Sequence, residues 1–296
     1  MKLNKTEYDP KLNSYEVVIA GGAMIGTAIA WFLISNKDFN GKILVVEKDP
    51  TLEFSSTSRT NNSIRQQFSN RLNIEISKFS SNYILNFKSY MENDERVPEI
   101  MFNKIGYLYL ADNIKKINLL KQNQKLQNSL NIPTKIYDQN SLLEKFPYLN
   151  VKNLIGGSYN SYNEGYFDSN TIFSWWKKKS AEKGVEFIKN EVTEIALDSK
   201  KINAITLKDG SKLKIGSFVN ATGTKASTFD KTHFLRIPVE PRKRYTFIFK
   251  TEAKINNSVP LIIDPTGIHF RSDGNYFLCG CAPEFDDTAA YDDFTI

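Results

Sequence analysis

Six residues near the start, Gly21-Gly22-Ala23-Met24-Ile25-Gly26, have the types and spacing to cradle a phosphate. An apolar run at residues 16–20 precedes them, and a buried-type helical stretch at 24–35 follows. A turn from strand to helix aims unpaired N–H groups and the positive end of the helix dipole at an anion. Against the pattern G-x-G-x-x-G, Ala23 stands where a middle glycine lets backbone approach a pyrophosphate. A methyl group is the smallest possible intrusion, so the site is weakened and not excluded. Glu47 ends the next apolar run, 21 residues past Gly26. A carboxylate there accepts hydrogen bonds from a ribose diol. Strand, glycine turn, helix, strand and Glu47 together predict a dinucleotide site, in which Lys48 is included. The alternative is a coincidental glycine turn in an ordinary α/β protein.

A polar segment separates two kinds of dinucleotide. Ser55, Ser56 and Thr57, and then Asn62, Ser63 and Ile64, follow the βαβ unit where a nicotinamide enzyme would continue into another helix and strand. Such a loop could wrap a second phosphate and lie along a flavin ring. Standing alone it would be an ordinary surface loop. Further on, Ile268-His269-Phe270-Arg271 alternates as a strand does, with His269 and Arg271 on one face and the apolar pair packed on the core. Cys279 and Cys281 also sit at i and i+2; they read as small buried hydrophobes, with a redox pair as the minor option. His233 has no such context and reads as a loop residue.

The elements that must position these groups follow from pattern. Residues 74–90 and 114–130 have helical period. Residues 170–183 form another helix, stopped by Gly184. Strands are expected at 106–110, 186–188, 192–197, 204–207 and 218–220, with a hairpin turn at Asp209-Gly210. The remainder is strand-rich, at 245–249, 261–263, 268–270 and 276–279.

Composition narrows the class. The chain has 296 residues, 41% of them hydrophobic and 24% charged, which fits one large or two moderate globular domains. Two cysteines exclude a disulfide-stapled domain and a structural zinc module. The net charge of +6 is spread over many lysines. Its tightest clusters, Lys177-Lys178-Lys179 and Arg242-Lys243-Arg244, lack interleaved aromatics, so no nucleic-acid partner is expected. Residues 1–14 lack the apolar core of a signal peptide. The uncharged run of 18 residues at 17–34 is interrupted by Gly21, Gly22 and Gly26, and reads as strand, turn and helix rather than a membrane span. A cytoplasmic protein is expected.

The chain resembles the D-amino-acid oxidase superfamily of FAD-dependent oxidoreductases, which includes glycine oxidase, sarcosine oxidase and related dehydrogenases. The run Ser63-Ile64-Arg65-Gln66-Gln67-Phe68-Ser69 especially resembles the branch containing the mitochondrial complex I assembly flavoprotein. Gly106-Tyr107-Leu108, Phe146-Pro147, Gly165-Tyr166-Phe167-Asp168, the strand at Val192 and Val219-Asn220-Ala221-Thr222-Gly223 agree, as do residues 238–244 and 264–271. The likeness runs from about residue 15 to the end. It implies FAD as cofactor. It also implies that Val192 meets the adenine side through its backbone, and that Ala221, Thr222 and Gly223 close over the dinucleotide.

In sarcosine-oxidase-like members an arginine beside the flavin pairs with the substrate carboxylate, and Arg65 falls at that place. A guanidinium fork suits two-point contact with a carboxylate. A surface or phosphate-facing arginine is the alternative. The strand of His269 carries an aromatic or polar residue toward the flavin in that superfamily, which makes His269 and Arg271 candidate cavity residues. The resemblance implies that relatives continue well past residue 296, so a truncated gene product or a partial sequence is expected. A chain ending here would lack one wall of the flavin pocket and expose a sheet edge.

The expected fold is α/β: a Rossmann-like FAD-binding domain at 14–90 and 160–228, interleaved with a smaller α+β substrate domain at 91–159 and 229–296 with a largely antiparallel sheet. The flavin is expected at their junction. The expected activity is oxidation of a small amine or amino acid by hydride transfer to flavin, with oxygen or an electron-transfer partner as acceptor. The alternative is a flavin-binding assembly factor with little turnover. A nicotinamide dehydrogenase is disfavoured by the polar loop and the Ala221-Thr222-Gly223 segment.

Overall fold

The computed structural model describes residues 9–198, 201–232, 237–252, 255 and 258–290. Contacts divide the chain into two compact units. The first comprises Met1–Thr60, Asn170–Arg242 and Asp287–Ile296; the second comprises Asn61–Ser169 and Lys243–Asp286.

In the first unit, the strands Ser14–Ala20 and Ile43–Glu47 run parallel, with Val17 opposite Ile43 and Ala20 opposite Val46. Residues 17–20 and 43–46 are continuous buried apolar runs, as strands covered on both faces must be. The helix Met24–Ile34 joins them and buries Gly26, Thr27, Ala30 and Trp31. Only 11 residues long, it is too short to span a bilayer. No helix among the described residues is long and apolar enough to cross a membrane. Glu186–Lys189 pairs parallel outside Ile43–Glu47, and Lys212–Asn220 pairs parallel on the other side of Ser14–Ala20. The antiparallel strands Val192–Asp198 and Lys201–Leu207 complete a six-stranded sheet. The helix Ser169–Glu182 ends where expected, with Gly184 at φ +97° and the Val185 N–H returning to the Ser180 carbonyl at 3.0 Å. The expected hairpin at Asp209-Gly210 is present, closed by Leu207 and Ser211 at 2.9 Å.

The second unit is built on a seven-stranded sheet, antiparallel except where Leu261–Ile263 runs parallel to Tyr107–Ala111. Leu108, Leu110 and Ile262 pack there with Leu142, Phe146, Leu154 and Val259. A three-stranded sheet ties Ser63–Ile64 and Phe102–Asn103 to the two edges of Gly165–Phe167. The strand Phe247–Phe249 is an edge of the larger sheet. Its three side chains are 56%, 66% and 43% exposed.

The mixed α/β architecture is the one expected. The division differs from the expected boundaries, since the first break falls at Thr60 rather than at 90 and the second unit is not the smaller one. Packing explains the difference. The helix Arg71–Leu85 buries Ile74 against Leu130 and Ile132, which belong to the second unit. The short strands at 63–64, 102–103, 135–138, 156–160 and 165–167 escaped prediction because runs of two to five residues carry too little periodicity.

Candidate functional site

The first unit assembles a cradle at the end of its central strands. Gly21 has φ +100°, and a Cβ built on it would stand 2.3 Å from the Ala221 carbonyl oxygen. The turn is held there by the Gly21 N–H on the Val46 carbonyl at 2.9 Å and the Ala221 N–H on the Ala20 carbonyl at 2.8 Å. Gly26 lies against the same turn, where a Cβ would meet the Gly21 carbonyl oxygen at 1.8 Å. Neither position admits a side chain without movement of backbone.

Ala23 is the residue capping the helix, with ordinary extended dihedrals (φ −78°, ψ −164°) and no side-chain bond to the first turn. The methyl therefore costs no backbone strain, and no oxygen of its own covers the helix N-terminus. The Met24 N–H donates to Thr57 Oγ1 at 3.2 Å. Ile25 is 65% exposed.

Glu47 is fixed by two bonds: Oε2 accepts the Gly22 N–H at 2.7 Å and Oε1 the Asp49 N–H at 2.8 Å. Lys48 is exposed beside it. Ser55 is turned inward, with Oγ on the Leu52 carbonyl at 2.9 Å, while Ser56 is exposed. Val192 points its side chain into the core and pairs its backbone with Leu207. Thr222 Oγ1 donates to Asn220 Oδ1 at 2.6 Å, and Gly223 is exposed at φ +61°. Thus the structure gathers Gly21 to Gly26, Glu47, Thr57, Ala221 and Thr222 around one strand-to-helix turn. The close backbone approach at Gly21 and Gly26, the N-cap residue Ala23 that offers the helix end no side-chain bond, and the carboxylate at the neighbouring strand end fit a dinucleotide.

Asn62, Ser63 and Ile64 belong to the second unit. Asn62 Oδ1 accepts Ser169 Oγ at 2.6 Å, and Ser63–Ile64 pairs with Gly165 and Tyr166. Arg65 follows with its side chain exposed, its guanidinium carbon 4.7 Å from the centre of the Phe68 ring. It has no carboxylate partner among the described residues. Its charge reaches two tyrosines of the strand Tyr107–Ala111 that share one face. Burial pushes the Tyr107 hydroxyl above its ordinary value, while a bond with Ser63 and the charges of Arg65 and Arg271 pull it back. Burial also raises Tyr109.

Arg271 is only 4% exposed. It donates to Asp273 Oδ1 at 2.8 Å, to the Ser272 carbonyl at 2.9 Å and to the Asn61 carbonyl at 3.0 Å. Its guanidinium stacks 3.9 Å from the Tyr166 ring centre. Each of these contacts ends on protein. His269 is half-buried over Gly280, with Nδ1 3.4 Å from the Gly267 carbonyl. Ile268 is 46% exposed and precedes the strand, so the expected apolar face begins only at Phe270. Cys281 is exposed and Cys279 half-buried, against the expectation that both are buried; Cys281 lies beyond the end of the strand Tyr276–Gly280. His233 lies outside the described residues.

Glu164 was not singled out by the sequence. It is fully buried, yet a single acid between Asn163 and Gly165 carries no motif. Tyr107 and Tyr109 left a signal, the alternation Tyr-Leu-Tyr-Leu, which reads equally as a core strand.

Residues 16–295 match the family described as FAD dependent oxidoreductase. The chain belongs to that family. The chain is 29% identical over 303 residues to FAD-dependent oxidoreductase domain-containing protein 1 of Xenopus laevis, covering 90% of this chain and 60% of that protein. It is 27% identical to the Drosophila melanogaster homolog, covering 88% of this chain and 56% of that protein. The chain thus spans about 60% of the length of the curated relatives it matches. Among solved structures, L-proline dehydrogenase from P. horikoshii superposes with a TM-score of 0.76 at 24% identity, covering 94% of this chain and 74% of that one. Glycine oxidase from Geobacillus kaustophilus gives 0.73 at 18%, covering 92% and 72%. These likenesses show the fold. FAD is the cofactor of the family, and the cradle fits it.

Proposed function

We propose that this FAD-dependent oxidoreductase oxidises a small amine or amino acid at its C–N bond, with Arg65 as the anchor for a substrate carboxylate. The observation that carries the reading is the Arg65 guanidinium, exposed and without a carboxylate partner among the described residues, near the buried Tyr107 and the half-buried Tyr109. A planar cation with five donors recognises a carboxylate in two-point contact. The names of structural neighbours, a proline dehydrogenase and a glycine oxidase, support the substrate class.

FAD would be held by the backbone of Gly21 to Gly26 and by Glu47, and when bound it accepts the hydride, two electrons and one proton, from the carbon that carries the nitrogen. The residues of this chain have the remaining work. The Gly22 and Met24 amides, held by Glu47 and Thr57, shape the helix end that would face the pyrophosphate, and Glu47 would meet the ribose. Arg65 orients the substrate, and Arg271 holds the Asn61 carbonyl ahead of the Ser63–Ile64 strand. The imine product hydrolyses in water, and oxygen or an electron-transfer partner takes the electrons onward.

The test is the visible spectrum of purified protein before and after anaerobic addition of amino acids and N-methyl amines. Oxidised-flavin bands bleached by one member of the panel would support the reading and name the substrate. Bands that persist with every member would overturn it and favour an assembly role without turnover.

A further inference from the structure

Glu164 is 0% exposed and bonds to the segment that carries Arg65. Its Oε1 accepts the backbone N–H groups of Gln66 at 2.5 Å and Gln67 at 2.9 Å. Its Oε2 accepts Gln67 Nε2 at 2.9 Å. The same Nε2 donates to the Tyr107 carbonyl at 2.8 Å, and Gln67 Oε1 accepts Ser158 Oγ at 2.9 Å. Asn160 supplies a further side-chain bond. Among the described residues no lysine or arginine pairs with Glu164. A carboxyl sealed from water without a cation costs several kcal/mol unless its hydrogen bonds compensate, and most of those bonds end on the two residues after Arg65.

The peptide group that follows Arg65 is tied at its other edge as well, because Ser77 Oγ donates to the Arg65 carbonyl. Glu164 is itself anchored, its carbonyl accepting the Gly106 N–H at 3.1 Å. The next residue, Gly165, pairs with Ile64. An arginine side chain carries about 2 kcal/mol of rotamer entropy, so two-point recognition depends on how firmly its backbone is aimed.

We infer that Glu164 is a positioning residue for Arg65: by holding the Gln66 and Gln67 amides, it sets the direction from which the guanidinium meets a carboxylate. The inference rests on the reading of Arg65 above. Glu164→Gln preserves size but replaces one acceptor with a donor, facing three N–H groups that already need acceptors. The Gln67 amide cannot flip to accommodate it, because Tyr107 and Ser158 fix its sense.

The test titrates benzoate and N-acetylglycine, carboxylates without an oxidisable amine, into the FAD-loaded protein and follows the 1H–15N spectrum. We expect R65A to weaken binding at least tenfold. E164Q should weaken it by a similar factor with unchanged FAD content, and R65A/E164Q should bind no more weakly than R65A. A merely structural Glu164 would weaken binding in the R65A background too. E164Q binding as wild type, or an effect that adds in full to R65A, overturns the inference and leaves the Arg65 reading standing. Wild-type binding that is absent or indifferent to R65A removes that reading, and the inference with it. Where E164Q does not fold, the wild-type protein decides. The Gln66 and Gln67 amide shifts and the carboxylate affinity should titrate with one midpoint; an affinity flat across the amide midpoint overturns the inference.

Discussion

Glu47 Oε2 accepts the backbone N–H of Gly22 at 2.7 Å, joining the end of the second strand to the glycine turn after the first. One carboxylate therefore holds the turn in shape, and in the proposed function it would also meet the dinucleotide ribose. Glu47→Ala should cost a charge-assisted bond of about 1.5–3 kcal/mol, which corresponds to roughly 10- to 150-fold in FAD affinity. Flavin retained after dialysis, read from absorbance, checks it; full retention would remove Glu47 from the cradle.

Gly26 and Ala23 should respond in opposite ways to a single methyl. Gly26→Ala places a Cβ 1.8 Å from the Gly21 carbonyl oxygen, so the helix must move. A loss of about 3 kcal/mol of stability is expected, with loss of flavin. Ala23→Gly should stay within about 0.5 kcal/mol, because glycine is no worse than alanine as a helix cap and the Ala23 dihedrals are unstrained. Denaturant midpoints of the two variants measure both.

The buried Glu164 carboxyl is pushed up from 4.5 to about 7, first by burial, against the bonds from Gln67, Gln66 and Asn160 that pull it down. The unfolded chain releases this proton near the lower value and the folded chain near the higher one. Between them the folded state holds a proton that the unfolded state has lost, so this group makes stability fall as pH rises from 4.5 to about 7, with no further loss above. The loss is on the order of 3 kcal/mol. Urea midpoints at stepped pH should show it in wild type and not in E164Q; parallel curves would assign the pH dependence elsewhere.

Ile248 is 66% exposed at the middle of an edge strand, between Phe247 and Phe249. An apolar edge invites pairing with another chain. Ile248→Lys should raise the monomer fraction on sedimentation while moving stability by less than about 0.5 kcal/mol. An unchanged association profile would clear this edge.

The strand–turn–helix cradle proposed for FAD was legible because its logic is local. A glycine turn, an apolar strand on each side and an acid at the second strand's end all fall within residues 16–47, and period and turn chemistry act over that range. The sequence by itself therefore determined the βαβ unit, the hairpin at Asp209-Gly210 and the helix stop at Gly184. Only the tertiary structure decided which unit holds the helix Arg71–Leu85, since that turns on Ile74 packing against Leu130 and Ile132. Only the tertiary structure buried Arg271 against Asn61, 210 residues away, and Glu164 against Gln66, 98 residues away. Neither contact leaves a trace in spacing. A long-range hydrogen bond is chosen by which strands close the sheet, and what makes it worth forming is the desolvation of a group that looks like any other charged residue until the chain has folded around it.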